Sequence, residues 1–186
     1  MRRTAAAAAA LVLAGTGLGM VTAAAGTATA ATGATACPNG WGSGDKGGVA
    51  AGAVPLKNVR AGRHDCFDRL VFDVPGGGTL GYSVGYVDQL HQLASGEYIP
   101  VGGGAVLDVR VGAPAYDPAT GAAAYPGRAG QPLPGVDVSG YSTFRDARFS
   151  ASFEGETQIG LGVRARLPFR VIQLPDQLVV DVAHSW

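Results

Sequence analysis

Apolar and polar residues alternate in steps of two along most of this 186-residue chain, and no window carries a sustained helical stripe. The alternation is sharpest at Leu70-Val71-Phe72-Asp73-Val74 and is echoed near the C-terminus by Leu178-Val179-Val180-Asp181-Val182. Successive side chains of a strand point to opposite faces. Leu70 and Phe72 therefore share a face opposite Asp73, and Leu178 and Val180 share one opposite Asp181. The two aspartates are expected to pair across strands with Arg69, Arg164 or Arg170, as structural ion pairs of little worth if exposed.

The same rule predicts further strands at 54–60, at 81–90 with Tyr82, Val84 and Tyr86 on one side, and at Leu107, Val109 and Val111. Phe149, Ala151 and Phe153 alternate with Ser150 and Ser152, and Ile159, Leu161, Val163 and Ala165 with Gly160, Gly162, Arg164 and Arg166. Residues 169–174 and 178–182 flank the turn Pro175-Asp176-Gln177, a hairpin signature, and Pro75-Gly76-Gly77-Gly78 ends the strand before it. Residues 113–136 read as a long Pro/Gly/Ala-rich loop, a class of segment that is often a binding element or mobile. The expected fold is all-β: an antiparallel β-sandwich of two packed sheets carrying that loop.

Met1-Arg2-Arg3 precedes an apolar, Ala-rich run to about Thr22 and then small residues, the layout of a secretory signal peptide over residues 1–30. Ala23-Ala24-Ala25 and Ala28-Thr29-Ala30 both suit cleavage. Gly15, Gly17 and Gly19 weaken the run as a bilayer span, and no second apolar segment reaches membrane length, so the mature chain is expected to be exported without a span. Its location is expected to be extracellular, with cell-wall association as an option. Removal of the signal leaves about 155 residues, enough for one domain with a real core. Residues 31–53 read as a Gly/Ala-rich leader and 54–186 as the domain. Cys37 and Cys66 are the only cysteines, and in an exported chain they are expected to form one disulfide that tethers the leader to the strand entrance. A reactive Cys66 beside His64 and Asp65 is the competing reading.

The formal net charge of +0 gives no electrostatic case for nucleic acid or an anionic membrane. His64, His91 and His184 are the only histidines and lack zinc-site spacing. His64 with Asp65 and Asp68 reads as a polar turn rather than a metal site, so neither metal nor cofactor is expected. No Gly-x-Ser-x-Gly elbow occurs, Ser83 and Ser139 have no triad context, and Glu97, Glu154 and Glu156 sit at predicted turns or strand ends. Gly102-Gly103-Gly104 lacks the Lys-Ser/Thr of a phosphate loop. No catalytic residue is expected.

The series Arg63-His64-Asp65, Phe67 to Asp73, Gly81-Tyr82 with Tyr86, Gly160-Leu161-Gly162 with Phe169-Arg170-Val171, and Leu178 to His184 resembles the AMIN-like domain of secreted actinobacterial proteins. That family is related to the AMIN domain found beside N-acetylmuramoyl-L-alanine amidases and in secretins. The resemblance covers about residues 54–186. It implies a two-sheet β-sandwich and a non-catalytic role in the cell envelope, localising partners by binding peptidoglycan or another wall component. The alternative is an exported structural or protein-interaction domain that binds an exported protein and no glycan. Tyr82, Tyr86, Tyr98, Tyr116, Tyr125, Tyr141 and Trp41 are candidate sugar-stacking aromatics. Arg63, Arg69, Arg145, Arg148, Arg164 and Arg166 are candidate carboxylate partners. The ligand-binding set singled out is Arg63, His64, Asp65, Arg69, Tyr82, Tyr86 and Arg164.

Overall fold

A computed structural model describes Cys37, residues 40–48 and residues 52–186. The expected signal peptide lies outside the described residues, as do residues 31–36, 38–39 and 49–51 of the expected leader. The described elements are β1 (Lys46–Gly48), β2 (Asn58–Arg63), β3 (Phe67–Asp73), β4 (Tyr82–Val87), β5 (Leu90–His91), β6 (Tyr98–Ile99), β7 (Ala105–Val111), β8 (Phe144–Phe153), β9 (Glu156–Val163), β10 (Phe169–Leu174) and β11 (Gln177–Ala183). They form a five-stranded sheet in the order β1-β4-β7-β9-β8 and a four-stranded sheet in the order β10-β11-β3-β2, with β5 and β6 as a separate hairpin. Every pairing is antiparallel. The all-β sandwich expected from the alternation is the observed fold.

The echoed segments are neighbours. Within the four-stranded sheet, Phe72 lies opposite Leu178, Leu70 opposite Val180 and Arg69 opposite Asp181. Their apolar alternates point inward, where Leu70, Phe72, Leu178, Val180 and Val182 meet Leu107, Val109, Ile159, Leu161 and Val163 of the five-stranded sheet in one core. Each such side chain contributes roughly 1.5–3 kcal/mol by leaving water, and this fixes the register of both sheets.

Four expected strands differ in detail, and the one expected to run on through Ala165 and Arg166 ends at Val163. The first strand begins at Asn58 and not at Val54. Pro55 has no N–H, the Leu56 N–H donates to the Pro114 carbonyl at 2.8 Å, and the Leu56 side chain is fully buried, so the segment before Asn58 closes the core. The strand expected over 81–90 ends at Val87, and Leu90 opens the hairpin. In β8 the alternation of Phe149, Ala151 and Phe153 breaks, because a bulge lies between Phe149 and Ala151. Phe149 pairs with Ile159 and is buried, but Phe153, past the bulge, is exposed. An extra residue in one strand reverses the facing of everything after it.

Residues 113–136 are packed against the sandwich. Tyr125 and Leu133 are buried, and the segment bonds to the free edge of β8 through Phe149 N–H to Gln131 O (3.0 Å) and Leu133 N–H to Ala147 O (3.0 Å). A covered edge is protected from pairing with other chains. Residues 46–48, in the stretch read as leader, form β1 on the edge of β4.

Candidate functional site

The outer faces of the two sheets are built differently. On the five-stranded sheet, Gly160 and Gly162 leave room for the segment carrying β5 and β6. A Cβ on Gly160 would lie 2.7 Å from Val101 and also overlap Leu90, and one on Gly162 would land on the Gly102 carbonyl oxygen. Fully buried Gln158 fastens this layer: its Oε1 accepts from Leu93 N–H and Ser150 Oγ, both at 2.9 Å. Its Nε2 donates to His91 O at 3.0 Å and Asp108 Oδ1 at 3.1 Å. All four polar valences are met inside protein, the condition for burying an amide without loss.

Where that hairpin meets the end of the sheet, a groove of about 400 Å³ opens, lined by Tyr86, Asp88, Gln89, Tyr98 and Arg166 among others. Tyr98 is half exposed. The Tyr86 ring packs edge-on to Phe169 at 5.7 Å, and the Arg166 guanidinium lies 5.1 Å from its centre. Its hydroxyl donates to the Leu167 carbonyl (2.8 Å) and accepts the Leu167 N–H (2.9 Å). Burial pushes the Tyr86 phenol above its usual range, against the opposing pull of the Leu167 bond and of Arg166.

The strand entrance at the same end is a polar network. His64 N–H donates to Phe67 O at 3.0 Å, and the His64 ring stacks on Phe67 at 4.4 Å. Asp68 shares the inward face of β3 and is fully buried; its Oδ2 accepts the N–H groups of Thr143 (2.5 Å) and Phe144 (3.1 Å). His184 Nε2 lies 3.1 Å from Asp68 Oδ1 and its Nδ1 lies 3.1 Å from the Asp65 carbonyl oxygen. Both ring nitrogens of His184 thus face oxygen atoms of β3 and the turn before it. Arg164 donates to the His184 carbonyl, and Arg63 approaches the Tyr141 ring at 5.7 Å. Asp68 thus ties β3 to the start of β8, rather than capping its own turn.

On the outer face of the four-stranded sheet, Asp181 is fully buried between two arginines on the flanking strands. Arg69 reaches it in a bidentate pair, Nε to Oδ1 at 2.6 Å and Nη2 to Oδ2 at 2.8 Å. Arg170 Nε donates to Oδ2 at 2.8 Å. The bond to Asp181 raises the Arg69 pKa above its already high value. Both guanidiniums lie 5.2 Å from the Phe67 ring, and Arg170 also lies 4.3 Å from the ring of Trp41. Trp41 meets Phe67 edge-on at 5.6 Å. At the other end of these strands Asp73 pairs with Arg60 (3.0 Å), and not with Arg69, Arg164 or Arg170.

The residues singled out by sequence therefore fall into separate places. Arg63, His64, Asp65 and Arg164 gather at the strand entrance, Arg69 lies on the outer face, and Tyr86 lines the groove. Tyr82 sits at the opposite end of β4, half buried opposite Gly48 of β1. Cys66 is bonded to Cys37, with Cα atoms 5.3 Å apart, so neither is a free thiol. Among the described residues, no three His, Cys, Asp or Glu side chains converge as a set of metal ligands. The sequence reading did not join Trp41 and Arg170 into one cluster. Pairing the two echoed strands in antiparallel register would have brought Asp181 to Arg69, but nothing in the local pattern places Trp41 there.

Comparison with known proteins adds one match. The AMIN-like domain family matches residues 54–184, close to the range over which the strand motifs recur. No curated protein and no solved structure matches the chain.

Proposed function

This chain belongs to the AMIN-like domain family, and from that premise we propose that it is an exported, non-catalytic cell-envelope module that binds peptidoglycan. The observation that carries the reading is the rim groove. It combines the exposed ring of Tyr98 and the ring of Tyr86 with the polar side chains of Asp88, Gln89 and Arg166. A sugar offers a weakly polar ring face and a perimeter of hydroxyls, and a site of this kind meets both. The groove is anchored by the Gln158 network and the glycine-floored hairpin, so little ordering cost attends binding. Arg63, His64, Asp65 and Arg164 would border a bound strand at the same end, with Arg69 on the adjacent face. Tyr82, at the far end of β4, would sit outside this contact. The disulfide between Cys37 and Cys66 supports an oxidising, extracytoplasmic location.

Co-sedimentation with purified sacculi tests the reading. The wild-type protein is expected to enrich over a β-sandwich of similar size, and Tyr98→Ala with Arg166→Ala is expected to cut retention at least about fivefold, a loss of roughly 1 kcal/mol. Sedimentation no better than the control overturns the reading, and would favour the exported protein-interaction alternative.

A further inference from the structure

We propose that Arg170, with Arg69, Trp41 and Phe67, forms a second binding site on the outer face of the four-stranded sheet, specific for a carboxylate such as the free C-terminus of a short peptide. The argument starts from the charge balance around Asp181. Arg69 alone meets both oxygens of this carboxylate, in a bidentate pair. Arg170 adds a third hydrogen bond to an oxygen already engaged, and a second positive charge to the same face. Asp181 brings one negative charge against two guanidiniums, so the cluster keeps a net positive charge that a second anion would offset.

The geometry leaves donors free for such an anion. Trp41 occupies one flank of the Arg170 guanidinium, and Nε is bonded to Asp181. Among the described residues, Nη1 and Nη2 of Arg170 and Nη1 of Arg69 have no protein acceptor. The Arg170 and Arg69 side chains keep 33% and 26% of their surface in solvent, so those donors are reachable. Two terminal N–H groups in one plane match the two oxygens of a carboxylate. The ring of Trp41, half buried, offers an apolar surface for the residue that bears it. The face is pre-organised, because Asp181 and the two aromatic rings already hold both guanidiniums in place.

This site lies on a different sheet face from the rim groove, so the two stand or fall separately. Trp41 provides the readout. In a Trp186→Phe background, where Trp41 is the single tryptophan, N-acetyl-dialanine with a free carboxylate is titrated by fluorescence beside its C-terminal amide and inorganic phosphate. The acid is expected to saturate the signal in the millimolar range, the amide to bind at least about tenfold more weakly, and Arg170→Gln to lose a similar factor. Acid and amide titrating alike overturns the proposal, as does an Arg170→Gln protein that binds the acid as well as its parent. Phosphate binding without carboxylate binding overturns it too, since the site would then select a tetrahedral anion. The acid–amide comparison decides the matter even if Arg170→Gln does not fold. Sacculus retention with no response to acetyl-dialanine would sink this site and leave the rim groove standing.

Discussion

The two sheets of this sandwich treat their outer faces in opposite ways. The five-stranded sheet gives up side chains at Gly160 and Gly162 and receives a hairpin so close that its backbone rests on the strand. The four-stranded sheet keeps Arg60, Arg69, Asp73, Arg170 and Asp181 on its outer face and leaves them partly in solvent, except for Asp181. One face is closed by packing and the other is stabilised by charge and aromatic stacking. The closed face creates a groove only at its margin, where the hairpin stops. The open face offers donors directly. The build of each outer face is thus decided by two glycines on one sheet and a buried aspartate on the other.

The largest expected effect comes from forcing the closed face apart. Gly162→Ala puts a methyl onto the Gly102 carbonyl, a backbone atom that cannot swing aside. Urea denaturation is expected to show a loss of about 3 kcal/mol, the scale of an overpacked core. A loss under about 1 kcal/mol would mean that the hairpin is loosely held and that the two faces do not differ in packing.

The charged face is expected to respond unevenly. Asp181→Asn leaves Arg69 and Arg170 facing each other without their shared carboxylate, and about 2 kcal/mol should be lost, less than for a fully buried pair because both arginines touch water. Asp73→Asn, whose Arg60 partner is half exposed, should cost under about 0.5 kcal/mol. Equal losses would show that burial does not distinguish the two aspartates.

The smallest effect is alkaline. Burial raises the phenols of Tyr86, Tyr125 and Tyr141, whereas β2, β3, β10 and β11 contain no tyrosine. A raised pKa in the folded state means the unfolded chain gives up its proton first. The associated stability is complete below about pH 10 and falls as pH rises beyond it. Thermal melts from pH 8 upward should therefore show an alkaline decline that is shallower in Tyr86→Phe and unaltered in Asp73→Asn.

Much of the fold was legible because both sheets bury one face, and a two-residue period records that directly. The echo of 70–74 in 178–182 marked strands that turn out to be adjacent. What the period does not record is a bulge, so alternation alone puts Phe153 on the wrong face. Nor does it record a third layer. Gly160 and Gly162 read as part of a strand, but only the hairpin seated on them shows why no Cβ is tolerated. The cluster around Arg170 was half legible. Asp181 and its arginines follow from strand pairing, whereas Trp41 arrives from a glycine-rich stretch whose path is set by contacts far along the chain: Gly42 O accepts the Phe169 N–H at 2.9 Å and β1 pairs with β4.

The Cys37–Cys66 bond acts as a leash. Only four residue steps separate Cys37 from Trp41, a span of at most about 14 Å fully extended. Cys66 precedes Phe67, so even with β1 peeled from the sheet edge the indole stays within a short radius of the ring it packs against. Its return is a local search in a small volume, and the aromatic part of the open face can come apart and re-form without the rest of the leader having to find its way back.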